Sequence, residues 1–132
     1  MQITRSADHD SRPGNPEYFT GTVTLEAVPT PDAPARLNAA RVTFEPGART
    51  FWHTHPLGQT LVVLSGTCLA QTDGGAVMRL VPGDTVVFAP GEKHWHGAGP
   101  DAPMTHLAMQ EAQDGSAADW LEEVPDAQYS SA

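Results

Sequence analysis

The sequence predicts an all-β fold of short strands joined by tight turns, and three observations support this expectation. Twelve glycines and twelve prolines recur along the chain. Only 17% of the residues are charged, whereas 39% are hydrophobic. Between the turn residues, apolar side chains recur at every second position, the period that places them on one face of a β-strand. A length of 132 residues suits a single domain with one core.

Residues 1–20 are predicted to form an extended N-terminal arm. The segment is polar and carries Pro13 and Pro16. It ends in the aromatic pair Tyr18 and Phe19. We expect this pair to anchor the arm on the domain or on a neighbouring subunit.

Residues 21–112 are predicted to form the β-domain itself. Its first strand is expected in TGTVTLEAV, which the proline-rich connector PTPDAPA separates from LNAARVTFE. In that second strand Ala40, Val42 and Phe44 share one face.

The second half of the domain is predicted to be a meander of short strands. The stretches QTLVVLSG, TCLAQTD, AVMRLV and TVVFAP are separated by glycine-containing turns. The last strand, MTHLAMQE, places Met104, His106, Ala108 and Gln110 on one face.

Residues 113–132 are predicted to form a short C-terminal helix and a tail. Ser116 is a good N-cap for a helix over SAADWLEEV, because its hydroxyl can accept a hydrogen bond from a free backbone N–H.

Charge and hydropathy exclude two classes of partner. The formal net charge of −9, with only seven basic residues, argues against nucleic acid, whose binding needs lysine and arginine to neutralise phosphates. No apolar run approaches the roughly 20 residues needed to span a bilayer, and MQITRSADHD lacks the apolar core of a signal peptide. We therefore expect a cytoplasmic protein that acts on a small molecule. The single cysteine, Cys68, is expected in the core.

Five of the six histidines form the most informative feature of the sequence. His53 with His55, and His94 with His96, are two residues apart, so each pair can point to the same face of a strand. Neutral imidazole nitrogens suit Mn, Fe, Co, Ni, Cu or Zn, whereas Mg²⁺ and Ca²⁺ prefer oxygen. Two such pairs predict a transition-metal site.

Two motifs carry a family resemblance. The stretch from Gly47 to Gly66, GARTFWHTHPLGQTLVVLSG, resembles the first motif of the cupin family, and GDTVVFAPGEKH, which starts at Gly83, resembles the second. The resemblance implies a small double-sheet β-barrel (a double-stranded β-helix or jelly roll) with a metal ion in its mouth. In this family, the positions of His53, His55, Gln59 and His94 hold the ion.

A closer resemblance covers most of the chain. TFEPGARTFWHTHPLGQTL, PGEKHWHGAGP, MTHLAMQE and DWLEEV are similar to bacterial cupin-type hydroxynitrile lyases. This likeness implies Mn(II) as the metal, with Fe, Ni, Zn or Co as alternatives. It also implies that the substrate is a cyanohydrin, and that the products are cyanide and an aldehyde or ketone.

Gln59 departs from the usual cupin pattern, in which glutamate occupies this position. An amide oxygen leaves the positive charge of a bound ion uncompensated, which strengthens the ion as a Lewis acid. It also makes the site less suited to a metal that must be oxidised. This favours a redox-neutral reaction.

With four ligands assigned, His106 and His96 remain to handle protons. We expect His106 to act as the general base and His96 to assist it. Activity should then fall as the pH drops through the range in which imidazoles become protonated. Inward-facing residues are expected to shape the substrate pocket, namely Ala40, Val42, Ala108 and Gln110, and the small side chains at positions 40 and 108 leave room for a group such as a phenyl ring.

Two other functions remain open from the sequence. A cupin dioxygenase could use Fe on a small aromatic or diketone substrate, and a non-enzymatic cupin could simply bind a metal or small ligand. By analogy with small cupins, we also expect a homodimer or homotetramer.

Overall fold

A computed structural model of the protein describes residues 1–131. It contains thirteen strands, one 3-10 helix over Ser6–Asp8 and one α-helix (α1) over Asp126–Tyr129. The strands are β1 (Ser11–Pro13), β2 (Phe19–Thr20), β3 (Val23–Ala27), β4 (Leu37–Phe44), β5 (Arg49–Thr50), β6 (His53–Thr54), β7 (Gln59–Ser65), β8 (Cys68–Thr72), β9 (Met78–Leu80), β10 (Thr85–Phe88), β11 (His94–Ala98), β12 (Met104–Glu111) and β13 (Asp119–Trp120).

The strands form two antiparallel sheets, which confirms the predicted all-β fold. The first sheet has the order β1-β3-β4-β12-β7-β10. The second has the order β13-β6-β11-β5-β2, with β8 and β9 paired beside β11. Strands β4 and β12 pair along their whole length, with Phe44 opposite Met104 and Leu37 opposite Glu111.

The main core lies between the inner faces of the two sheets. Phe44, Leu61 and Met104 of the first sheet are fully buried and share one cluster with Cys68 and Ala98 of the second. Burial alternates along β7, as expected for a strand with one face in the core. Each large apolar side chain buried in this way contributes about 1.5–3 kcal/mol. The burial of Cys68 also raises the pKa of its thiol to about 12.

The N-terminal segment adds an edge strand to each sheet. Strand β1 pairs with β3, and β2 pairs with β5. Phe19 packs against Phe44 of the core, with ring centroids 6.2 Å apart.

The predicted short C-terminal helix is confirmed, but its placement over SAADWLEEV is wrong. Asp119–Trp120 instead pairs with His53–Thr54, and the Ser116 hydroxyl donates to the carbonyl of Ala118 rather than capping a helix. Packing decides this, because Val124 is fully buried in a second cluster with Trp52 and Trp95, and tertiary contacts override weak helix propensity. The short α-helix begins after Pro125 and ends at Tyr129.

Within residues 1–131, no helix is long and apolar enough to cross a membrane.

Candidate metal centre

A cavity of about 500 Å³ is lined by residues of both sheets. The seven-stranded sheet contributes His53 and His96, and the six-stranded sheet contributes Gln59 and His106. His55 lines the same cavity. All five side chains are buried, with at most 6% of each residue exposed.

Strand pairing brings the two histidine pairs together. His53 lies directly opposite His94, because β6 pairs with β11. His55 follows the end of β6, where the chain turns to reach Gln59 at the start of β7. Gly58 makes this turn possible, since its φ is +82° and an added Cβ would lie 2.7 Å from the carbonyl oxygen of Phe88.

Backbone carbonyls fix the tautomers of three imidazoles. The Nδ1 atoms of His53, His55 and His94 lie 2.9, 2.6 and 2.8 Å from the carbonyl oxygens of Phe51, Ala117 and Glu92, respectively. A carbonyl oxygen can only accept, so each Nδ1 carries the hydrogen and each Nε2 keeps its lone pair. Donating the other ring N–H in this way is the usual arrangement of metal-binding histidines.

These three imidazole rings lie beside one another, and the ring centroids of His55 and His94 are 5.5 Å apart. The ring centroid of His53 lies 4.3 Å from that of His94 and 5.0 Å from that of His55. The Nε2 atom of His55 is buried and has no hydrogen-bond partner. The Oε1 atom of Gln59 lies 2.9 Å from Nε2 of His94. The structure therefore places the four predicted ligands in one region, and they offer acceptor atoms of the kind that bind a divalent transition-metal cation.

His96 is also close to this group. One ring nitrogen from each of His53, His94 and His96 lies within 4.8 Å of the other two, so these three buried histidines can hold a metal ion. Among the described residues this close group includes His96 in place of the predicted ligand His55. The Nε2 atom of His96 is buried without a hydrogen-bond partner. The sequence predicted a proton-handling role for His96, and its ability to join the ligand set is a feature that sequence reasoning missed.

Burial keeps these imidazoles neutral. It lowers the pKa of His94 and of His106 to about 4. Burial is also the largest cause of the lowered pKa of His53, His55 and His96. Neutral imidazoles are the form that binds metals. The expected acid loss of activity therefore moves below the ordinary imidazole range.

Neither aspartate nor glutamate is found among the residues that line the cavity within the described part of the chain. The charge of a cation at the centre would therefore be uncompensated by a lining carboxylate, as the glutamine at position 59 suggested.

His96 and His106 are hydrogen-bonded to each other. Nδ1 of His96 lies 2.9 Å from Nε2 of His106, so one ring donates to the other. Nδ1 of His106 is buried without a partner, and its ring lies 5.2 Å from that of Phe44. Both histidines line the cavity.

The predicted pocket residues Ala40, Val42, Ala108 and Gln110 also line the cavity. Sequence reasoning missed the residues that close it from the chain ends. Trp120 stacks on Tyr18 at 4.6 Å and lies 4.6 Å from the ring of His53. The aromatic pair at the end of the N-terminal segment was the available signal, but its partner in β13 was expected in a helix.

The fold and the site define the class of protein. The sequence matches the cupin domain family over residues 40–109. The chain belongs to the cupin family, as its two motifs predicted.

Individual relatives refine this assignment. A bacterial protein named (R)-mandelonitrile lyase, from Granulicella tundricola, is 56% identical over 129 residues, which cover 98% of each chain. A cupin-like protein from Thermotoga maritima is 36% identical, with a TM-score of 0.84 and 89% of each chain covered. A polyketide cyclase from Streptomyces resistomycificus shares the fold alone, at 21% identity and a TM-score of 0.70, with 98% of this chain and 90% of the cyclase covered.

Proposed function

We propose that the protein is a metal-dependent hydroxynitrile lyase, which cleaves a cyanohydrin to an aldehyde or ketone and hydrogen cyanide and catalyses the reverse addition. The observation that carries the proposal is the 56% identity to (R)-mandelonitrile lyase over nearly the whole of both chains. The neutral imidazoles of the site and the absence of a carboxylate from the cavity lining, among the described residues, support the same redox-neutral chemistry.

His53, His55, Gln59 and His94 are the proposed ligands. Their support is the set of three backbone-fixed Nε2 lone pairs together with the amide oxygen of Gln59. We favour Mn(II), with Fe, Ni, Zn or Co as alternatives, because imidazole and amide ligands do not by themselves select among these ions. Bound there, a divalent ion supplies Lewis acidity that lowers the pKa of a nearby hydroxyl group.

His106 and His96 are proposed to move the proton. In the cleavage direction, a neutral imidazole accepts the hydrogen of the cyanohydrin hydroxyl. The oxygen electrons form the carbonyl double bond, and the C–CN bond breaks with its electron pair on cyanide. The imidazolium then returns the proton to cyanide as hydrogen cyanide. The 2.9 Å hydrogen bond between the two rings lets them share that proton.

The wall of the cavity suits an aromatic or aliphatic cyanohydrin. Ala40, Val42 and Ala108 are small and apolar, and Gln110 supplies a polar edge. A cavity of about 500 Å³ falls within the range of small-molecule sites, roughly 300–1,000 Å³.

The cavity chemistry favours the lyase over the two other candidates. A dioxygenase must support a higher metal oxidation state, which the carboxylate-free lining does not favour. The hydrogen-bonded pair of His96 and His106 gives the cavity a group that can accept a proton, which the binding of a metal alone does not require.

The remaining expectations also stand as proposals. We infer a cytoplasmic protein without nucleic-acid or membrane partners, and a homodimer or homotetramer. Strand β10 lies at the edge of the six-stranded sheet, and its Val87 is 71% exposed. Association of subunits at this edge would cover the valine and the unpaired edge.

The direct test is mandelonitrile cleavage under anaerobic conditions, followed by benzaldehyde absorbance. Metal-loaded protein should release benzaldehyde without oxygen, and chelator should stop the release until Mn(II) is restored. His106→Ala should lose most of this turnover, whereas His9→Ala, which changes a histidine outside the cavity, should keep it. Absence of turnover by fully loaded protein on a panel of aromatic and aliphatic cyanohydrins would refute the lyase.

A further inference from the structure

We infer that Gln110 acts as a positioning residue, which forces Gln59 to present its oxygen rather than its amide N–H₂ to the metal centre. The inference rests on the metal site of the proposed function but not on the reaction. It goes beyond the role of Gln110 as part of the pocket wall.

Three amide side chains lie side by side across the six-stranded sheet. Gln110 in β12 is directly opposite Asn38 in β4 and directly opposite Gln59 in β7. Nε2 of Gln59 donates to Oε1 of Gln110 at 3.0 Å. Nε2 of Gln110 in turn donates to Oδ1 of Asn38 at 2.9 Å and to the backbone carbonyl of Asn38 at 3.3 Å. We call this row the amide relay.

The carbonyl at the end of the amide relay sets its direction. An amide side chain can exchange its oxygen and nitrogen by turning over, but a backbone carbonyl can only accept. The carbonyl of Asn38 therefore holds the nitrogen of Gln110 towards itself. The oxygen of Gln110 must then face Gln59, and it accepts from the nitrogen of Gln59. The oxygen of Gln59 is left to face His94.

This direction has a cost in the absence of a cation. Because Nδ1 of His94 donates to the carbonyl of Glu92, Nε2 of His94 carries a lone pair and no hydrogen. It faces the Gln59 oxygen at 2.9 Å, so two acceptors meet without a hydrogen between them. Turning Gln59 over would convert this contact into a hydrogen bond and would destroy the ligand set. The amide relay prevents that turn and keeps the site ready for a positive ion.

The test is a double-mutant cycle on Mn(II) affinity, because the free ion has an EPR signal that disappears on binding. Gln110→Met keeps the length of the side chain and removes all three of its hydrogen bonds. In the otherwise unchanged protein it should weaken Mn(II) binding by about tenfold or more, in line with the usual effect of losing a partner that orients a ligand. Gln113→Met, the same substitution at an exposed position three residues away, should leave affinity unchanged.

The second half of the cycle uses Gln59→Glu. A carboxylate presents an oxygen whichever way it turns, so no relay is needed, and the oxygen of Gln110 now faces a negative charge. In this background Gln110→Met should leave Mn(II) affinity unchanged or raise it. A loss of equal size in both backgrounds would mean that Gln110 only packs the site, and would overturn the inference.

Metal-free thermal unfolding provides an independent readout. Gln110→Met should unfold no earlier than the unsubstituted protein, since Gln59 is then free to turn and bond with His94. A clear drop in the unfolding temperature of the metal-free variant, matching its loss of affinity, would contradict the inference. If the unsubstituted protein itself bound no Mn(II), the metal site would fail, and this inference would fail with it. If Mn(II) bound as described but cyanohydrins were not cleaved, only the proposed reaction would fail.

Discussion

Acidification of the metal-free protein should destabilise it strongly, because its central imidazoles are buried in neutral form. His94 and His106 have their pKa lowered by burial to about 4, against an ordinary value of 6.5. The unfolded chain therefore binds protons below pH 6.5, whereas the folded chain resists protonation at these sites until about pH 4. Stability is at its full value above pH 6.5 and falls as the pH drops from there to about 4.

The size of the effect follows from the shift in pKa. A group whose pKa falls from 6.5 to about 4 on folding lowers the free energy of unfolding at pH 5 by about 2 kcal/mol relative to neutral pH. His94 and His106 together lower it by about 4 kcal/mol, which is a large part of the 5–15 kcal/mol that stabilises a typical domain.

Urea unfolding of chelator-treated protein at pH 7.5 and pH 5 measures this difference directly. His106→Asn should reduce the loss of stability between the two pH values by about 2 kcal/mol, the contribution of that one imidazole. If the free energy of unfolding of the unsubstituted protein were the same at both pH values, the imidazoles could not be buried and neutral as described.

Three further outcomes are expected. His106→Ala should lower turnover of mandelonitrile by about 10²–10⁴-fold with bound Mn(II) unchanged, as measured by steady-state kinetics and elemental analysis; loss of the metal would make His106 a ligand instead of a base. Gly58→Ala should cost about 1–3 kcal/mol in urea unfolding, because it combines a φ of +82° with a contact at 2.7 Å; wild-type stability would show that the turn before Gln59 is not constrained. Activity of the metal-loaded enzyme should persist below pH 6.5, since the pKa of His106 is about 4; a pH–rate profile that falls with an apparent pKa near 6.5 would refute His106 as the base.

The all-β fold and the histidine cluster were predictable because both depend on a local period. Side chains two residues apart in a strand share a face, which brings His53 near His55 and His94 near His96. The spacing of the two cupin motifs then related the pairs to each other. These inferences needed no knowledge of distant contacts.

The rest of the site depends on approaches between remote parts of the chain. The carbonyl of Ala117, 62 residues away in the sequence, fixes the tautomer of His55, and no local sequence pattern predicts this contact. Strand β13 formed where a helix was expected, because Trp120 packs on Tyr18 and Val124 is buried. The alternation of side chains along a strand predicted that His96 shares a face with His94. That His96 can reach the same ion is known only from the distances between the ring nitrogens in the structure.

Diffraction from crystals grown with Mn(II), recorded where manganese scatters anomalously, tests the central claim most directly. We expect one anomalous peak per subunit, in contact with Nε2 of His53, His55 and His94 and with Oε1 of Gln59. A peak that contacts other residues, or density without any ion among these four side chains after Mn(II) supplementation, would contradict the proposed centre.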